Sequence, residues 1–123
     1  MQDSSSVLAL AHAVMARFPD EARLASERLE SNHFEPDAWY AWFEEFSQIT
    51  TEAIRRRDEA QARAYLRFMS ERLSTADPDV LEVIDVAYTE NLLWNLDAAQ
   101  KKWGWTLMSE NLRALYLAMW GEP

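Results

Sequence analysis

Hydrophobic residues recur every three to four positions along most of this chain, which is the spacing of amphipathic helices. The pattern predicts one helix over residues 5–17 and a second over residues 20–31, with Pro19 separating them. A third helix is predicted to open at Pro36, a residue suited to a first helical turn. One face of that helix is predicted to be aromatic: Trp39, Trp42, Phe43 and Phe46.

The second half of the chain gives three further segments. A fourth helix is predicted over residues 59–74 and a fifth over residues 77–97, each opened by an aspartate in a capping position. Residues 101–108 hold a glycine between two tryptophans and are predicted to be an irregular connection, before a last helix that Gly121 ends. We therefore expect an all-α fold, an antiparallel bundle of five to six helices in a single domain over residues 1–123.

Composition supports this fold class. Hydrophobic residues make up 49% of the chain, including six Trp, five Phe and four Tyr, which is too apolar for a disordered protein. Only two glycines occur, and a β-rich fold would need more of them in its turns. Cysteine is absent, which excludes disulfides and cysteine zinc sites. The N-terminus is a poor signal peptide and too short to span a bilayer, so we expect a cytoplasmic protein without a membrane segment.

The formal net charge is −9, from 21 acidic and 12 basic residues. Nucleic acid is a polyanion, so direct binding to it is disfavoured. An acidic surface attracts basic protein partners and speeds the encounter with them. Many proteins are acidic for solubility alone, and composition leaves both interpretations open.

Two asparagines, Asn91 and Asn95, fall within the apolar side of the predicted fifth helix. The rest of that side is hydrophobic: Val80, Leu81, Val83, Ile84, Ala87, Tyr88, Leu92 and Trp94. A buried amide without a partner costs about 1–3 kcal/mol, so both side chains need hydrogen bonds. We expect them to form a structural polar core by bonding the main chain of residues 101–108, rather than a ligand site.

The opposite side of the same helix is acidic around two apolar residues, Val86 and Leu93. Between residues 77 and 97 the chain has six acids and no base. An acidic rim around an apolar centre is typical of a surface that binds a basic partner. The other interpretation is a solvated face with two isolated hydrophobic residues, or a face covered by another helix, and both interpretations stay open. The predicted partner-binding residues are Glu82, Asp85, Val86, Thr89, Glu90, Leu93 and Asp97.

Other candidate chemistry is sparse. Glu30 and His33 have the Glu-x-x-His spacing of di-metal carboxylate bundles, but the second copy that such a site needs is missing. Six arginines between Arg55 and Arg72 form a basic region, which could hold an anion but which we expect to pair with acidic helices inside the bundle or across a dimer contact. No phosphate loop, activated nucleophile or cofactor fingerprint occurs, so we predict no enzyme activity, no metal and no cofactor.

Two sequence motifs point to a family. Tyr88, Glu90, Asn91 and Leu92 form Tyr-x-Glu-Asn-Leu, and residues 115–121 close the chain as Leu-Tyr-x-x-x-Trp-Gly. In these features, over about the last 45 residues, the chain resembles the small acidic all-helical immunity proteins of bacterial polymorphic toxin systems.

The resemblance implies a protein that binds a cognate secreted toxin domain one-to-one and covers its active site. The toxin would present a basic cleft, which agrees with the acidic composition. The alternative is a homodimeric adaptor or chaperone-like protein that associates through the aromatic face of Trp39, Trp42 and Phe46.

Overall fold

The computed structural model describes residues 5–123, and over that range every regular element is a helix. Within that range, no helix combines the length and the apolar character needed to cross a bilayer. The elements follow in the order α1 (Ser5–Arg17), α2 (Pro19–Ser31), α3 (Trp39–Arg55), α4 (Glu59–Ser74), α5 (Pro78–Glu82), a π-helix (Val83–Thr89), α6 (Ala98–Leu107) and α7 (Glu110–Trp120).

Helix α3 is the centre of the fold, because it packs against α1, α2, α4, α6 and the π-helix. Its residues Trp42, Phe43 and Phe46 are fully buried, and Phe46 contacts the ring of Tyr88 from another element at 5.6 Å between centroids. Phe18, at the end of α1, meets Tyr65 of α4 edge to face at 5.0 Å. These contacts join the helices into one hydrophobic core, so the prediction of an all-helical single domain is confirmed.

The aromatic face of α3 serves this core and is not available to a second protein. Trp42 and Phe46 have no exposed surface, and Trp39 is half-buried. The indole Nε1 of Trp42 donates to the Oγ of Ser26 at 3.0 Å, which satisfies its polar atom inside the fold. The predicted dimer contact through these residues is therefore wrong, because the chain's own helices cover them.

The predicted starts of α4 and α5 are confirmed. The Asp58 carboxylate accepts a hydrogen bond from the backbone N–H of Gln61 at 3.2 Å, and Asp77 accepts one from Val80 at 2.9 Å. Helix α3 begins at Trp39, three residues later than Pro36, because residues 36–37 form a turn instead.

The predicted fifth helix is wrong beyond its first turns. The chain leaves α5 after Glu82, widens into the π-helix, and continues through turns over residues 90–95. Residues 101–108, predicted to be irregular, lie mostly within α6, which Asp97 and Gln100 start with a reciprocal capping box. The count of five to six helices is not confirmed, since this region divides into more elements than the hydrophobic spacing indicates.

Helix α6 contains a glycine because it crosses α3 closely. A Cβ atom built on Gly104 would lie 3.1 Å from side-chain atoms of both Ile54 and Leu93. Such distances are tighter than ordinary van der Waals contact, so a single methyl group would require a shift of these side chains, and a residue larger than alanine would push them apart. Gly104 thus marks a packing contact inside a helix, where the sequence predicted a break.

Within residues 5–123, the arginines of residues 55–72 form no ion pair with another helix. Arg63 forms its ion pair with Glu59 of the same helix, at 2.7 Å. The guanidinium of Arg57 lies over the ring of Trp103 at 4.8 Å, and that of Arg72 lies over Phe68 at 4.9 Å. The predicted internal pairing is therefore wrong, and the basic region faces outward.

Candidate functional site

The predicted partner-binding residues do not form one outward face. Leu93 and Thr89 are buried, each with 1% of its surface exposed, whereas Val86 is 38% exposed. Leu93 packs toward Gly104 of α6. The remaining predicted contacts are exposed or half-buried: Glu82, Asp85, Glu90 and Asp97. The expectation that Leu93 anchors a partner is wrong.

The π-helix explains this change of face. The backbone N–H of Glu90 bonds the carbonyl of Asp85 at 3.1 Å, five residues back instead of four. The residue that this wider turn adds rotates all following side chains by about 100° relative to a continuous α-helix. Leu93 consequently turns into the core, and Trp94 turns out to 61% exposure.

The two asparagines do not form a buried polar core. Asn91 is half-buried, and its Nδ2 donates to the carbonyl of Ala87 at 3.3 Å, within its own turn. Asn95 is exposed and has a φ of 63°, a left-handed conformation that Asn tolerates better than most residues. The predicted bonds to residues 101–108 are absent from the described residues, since that segment is helical and satisfies its own backbone.

The irregular backbone is instead satisfied by hydroxyl groups of α3. Ser47 Oγ donates to the carbonyl of Tyr88 at 2.6 Å, and Thr51 Oγ1 lies 2.6 Å from the carbonyl of Leu92. Thr50 Oγ1 shares a hydrogen bond with the Tyr88 hydroxyl at 2.8 Å, and burial raises the pKa of that phenol. These hydroxyls were visible in the sequence as a Ser-x-x-x-Thr pair within an apolar helix, and they fix the turn that displays Trp94.

Two tryptophans form the largest exposed aromatic feature of the described chain. Trp94 is 61% exposed and Trp120 is 49% exposed, and their ring centroids lie 6.4 Å apart at 39°. Trp120 Nε1 donates to the carbonyl of Glu90 at 2.8 Å, which ties the end of α7 to the turn. Exposed indoles held by such contacts are the side chains most enriched among binding anchors.

Clefts lie on both sides of Trp94. One, of about 300 Å³, runs between Trp94 and Trp120 and includes Glu90 and Lys101. The other, of about 420 Å³, lies between α3 and the turn. We call this region the tryptophan patch and define it as Trp94, Trp120, Glu44, Glu90, Asn91 and Asn95.

The carboxylates of the patch form no ion pair within residues 5–123, although Arg55 and Lys101 also line the two clefts. Burial raises the pKa of Glu44, and the negative charge of Glu90 raises it further. Nearby, burial and the neighbouring carboxylate of Glu82 raise the pKa of Tyr40 to about 12. The two clefts are lined by three carboxylates, Glu44, Glu45 and Glu90, and by two cations, Arg55 and Lys101. The small excess of negative charge attracts a positively charged group.

Glu30 and His33 are both exposed. In the described part of the chain, they belong to no group of three metal-ligating side chains.

Comparison with known proteins gives one match. No curated protein and no solved structure is significantly similar to the chain. A family model, described as "Domain of unknown function (DUF7674)", matches residues 11–121. These residues include every α-helix after the first turns of α1 and both tryptophans of the patch. The chain therefore belongs to the DUF7674 family.

Proposed function

We propose that this protein is an immunity protein, which binds a cognate secreted bacterial toxin one-to-one and neutralises it without catalysis of its own. The observation that carries the proposal is the tryptophan patch, in which two exposed indoles stand beside carboxylates that form no ion pair within residues 5–123. An aromatic centre with an acidic rim matches a partner that has a basic surface. The resemblance of the C-terminal motifs supplies the expected partner class, a toxin domain with a basic cleft.

The energy of binding comes mainly from the indoles. Removing about 100 Å² of each exposed tryptophan from water contributes roughly 2–3 kcal/mol per residue. A Lys or Arg of the toxin that enters the cleft beside Trp94 meets the indole face and the carboxylate of Glu44. Such a cation offsets the repulsion between the carboxylates of Glu44 and Glu90, which favours binding.

The other acidic residues contribute mainly to the rate of association, before the two proteins are in contact. Glu82, Val86 and Glu90 follow one another at four-residue spacing, and Glu82 and Val86 are exposed. Together with the net charge of −9, these carboxylates steer a basic domain toward this side of the molecule. Glu82 and Asp85 are therefore expected to raise the association rate more than they slow dissociation.

A growth-protection assay tests the proposal. The protein is co-expressed with the product of the gene next to its own, and survival is compared for wild type and Trp94→Ala/Trp120→Ala. The matched control is Leu24→Ala/Phe34→Ala, which removes two exposed apolar side chains away from the patch. We expect wild type and control to protect, and the double tryptophan variant to fail at equal protein level.

Two results would contradict the proposal. If wild type gives no protection against the neighbouring toxin, the immunity function is wrong. If the tryptophan variant protects fully, the function stands but the patch is not its contact surface. Circular dichroism of each variant shows whether the fold is retained.

A further inference from the structure

A second charged surface lies away from the tryptophan patch. A groove of about 270 Å³ runs between the end of α1 and the exposed side of α4. Three arginines and one glutamate surround a floor of small and aromatic side chains. We call it the arginine groove and define it as Arg17, Ala60, Arg63, Ala64, Arg67, Phe68 and Glu71. It shares no residue with the tryptophan patch.

Local contacts hold two of the arginines at the groove. The guanidinium of Arg17 lies 4.6 Å from the centroid of the Phe18 ring. Arg63 Nε lies 2.7 Å from the Glu59 carboxylate, with both side chains half in solvent. Arg67 forms no ion pair with any residue between 5 and 123, so its charge is available. The positive charge at this groove is therefore only partly neutralised.

The floor of the groove has the shape of a helix-docking surface. Ala60, Ala64 and Phe68 are spaced four residues apart, so they lie along one face of α4. Alanines let a neighbouring helix approach closely, because they add little side-chain volume. On the other side of Arg63 and Arg67 lies a second cleft of about 310 Å³, so the two arginines stand as a ridge between two clefts.

We infer that the arginine groove binds an acidic, amphipathic helical segment of a partner protein. Charge complementarity favours this occupant, because the groove has three arginines and only one glutamate. This local positive charge contrasts with the net charge of −9 of the whole chain. A long polyanion such as nucleic acid would also meet the surrounding acids, which repel it. A helix is short enough to contact the groove alone, with its apolar stripe on the alanines and its carboxylates beside Arg63 and Arg67.

The test measures the binding of a fluorescein-labelled peptide by anisotropy, with the full-length protein. The peptide is a helix of about 18 residues, with an alanine–leucine stripe and glutamates at four-residue spacing. We expect saturable binding that weakens with salt, and a roughly tenfold loss of affinity in Arg63→Gln/Arg67→Gln. The control Arg55→Gln/Arg56→Gln removes the same charge from exposed arginines outside the groove, and its affinity should stay within about twofold of wild type.

Several outcomes would overturn the inference. Absence of saturable binding, or an equal loss of affinity in the control, would show that the groove has no special role. Equal affinity for a scrambled peptide of the same charge would indicate general attraction of anions, as would displacement by inorganic phosphate. If sedimentation shows a dimer that Arg63→Gln/Arg67→Gln dissociates, the occupant is a second copy of the chain.

Discussion

Thr51→Val tests how the turn that displays Trp94 is held. Thr51 is 3% exposed, and its hydroxyl lies 2.6 Å from the carbonyl of Leu92. Valine has nearly the same shape, so the change removes the hydroxyl and leaves little cavity. The hydroxyl is also 3.0 Å from the Ser47 carbonyl in α3, which keeps its helical N–H donor.

The expected cost follows from one carbonyl that loses its partner. No backbone N–H within the described turns donates to the Leu92 oxygen, so the valine variant leaves it buried without a hydrogen bond. Such a loss costs about 1–2 kcal/mol of the free energy of unfolding. For a domain of this length, that corresponds to a fall of roughly 4–8 °C in the melting temperature.

Urea unfolding and hydrogen exchange measure the effect. We expect a lower urea midpoint with an unchanged m-value, and faster exchange of the amides of residues 92–96. Thr106→Val is the matched control, because the Thr106 hydroxyl is exposed and donates to the carbonyl of Trp103 within its own helix. Its effect should stay below about 0.5 kcal/mol. Equal stability of the two variants, or unchanged exchange at residues 92–96, would refute the proposed anchoring of the turn.

Three further predictions concern single positions. Because burial and Glu90 raise the pKa of Glu44 above its ordinary 4.5, ionised Glu44 destabilises the fold, and stability falls as pH rises through the folded-state pKa. Glu44→Gln should therefore raise the melting temperature at neutral pH and have little effect below about pH 4, where the Glu44 carboxyl is mostly protonated and, like glutamine, uncharged. A loss of stability at neutral pH would contradict this reasoning. Asn95 has a φ of 63°, so Asn95→Ala should cost about 1 kcal/mol in urea unfolding while Asn95→Gly costs nothing, and equal stability of the two would be inconsistent with the left-handed turn. The free energy of unfolding of Gly104→Ala should stay within about 1 kcal/mol of wild type, because improved helix propensity offsets the tight contacts at 3.1 Å. Gly104→Val should lose about 2 kcal/mol or more in the same urea assay. A valine variant as stable as wild type would show that α6 and α3 can separate without cost.

Helices with a regular apolar stripe could be predicted from the sequence. The bounds of α1 and α4 agree with the predicted residues 5–17 and 59–74, since each has a clear capping or proline boundary. The course of the chain after α5 could not be predicted, because hydrophobic spacing gives no indication of a π-helix. The added residue moves every later side chain to another face. Leu93 is therefore buried and Trp94 exposed, the reverse of what the pattern indicates.

The acidic character of the candidate site could be predicted from the sequence, but the pair of tryptophans at its centre could not be predicted. Glu90 belongs both to the predicted acidic side and to the tryptophan patch. The pairing of Trp94 with Trp120 depends on α7 returning to the turn, where Trp120 bonds the carbonyl of Glu90. Contacts between residues so far apart in the chain depend on tertiary packing, which periodicity within one helix does not report.

Titration calorimetry of the purified protein against the toxin domain tests the central proposal most directly. We predict one-to-one binding by wild type and by Leu24→Ala/Phe34→Ala. Affinity should fall about a hundredfold or more in Trp94→Ala/Trp120→Ala, because two desolvated indoles are lost. An unchanged dissociation constant in the folded tryptophan variant would contradict the proposal that the tryptophan patch grips the toxin.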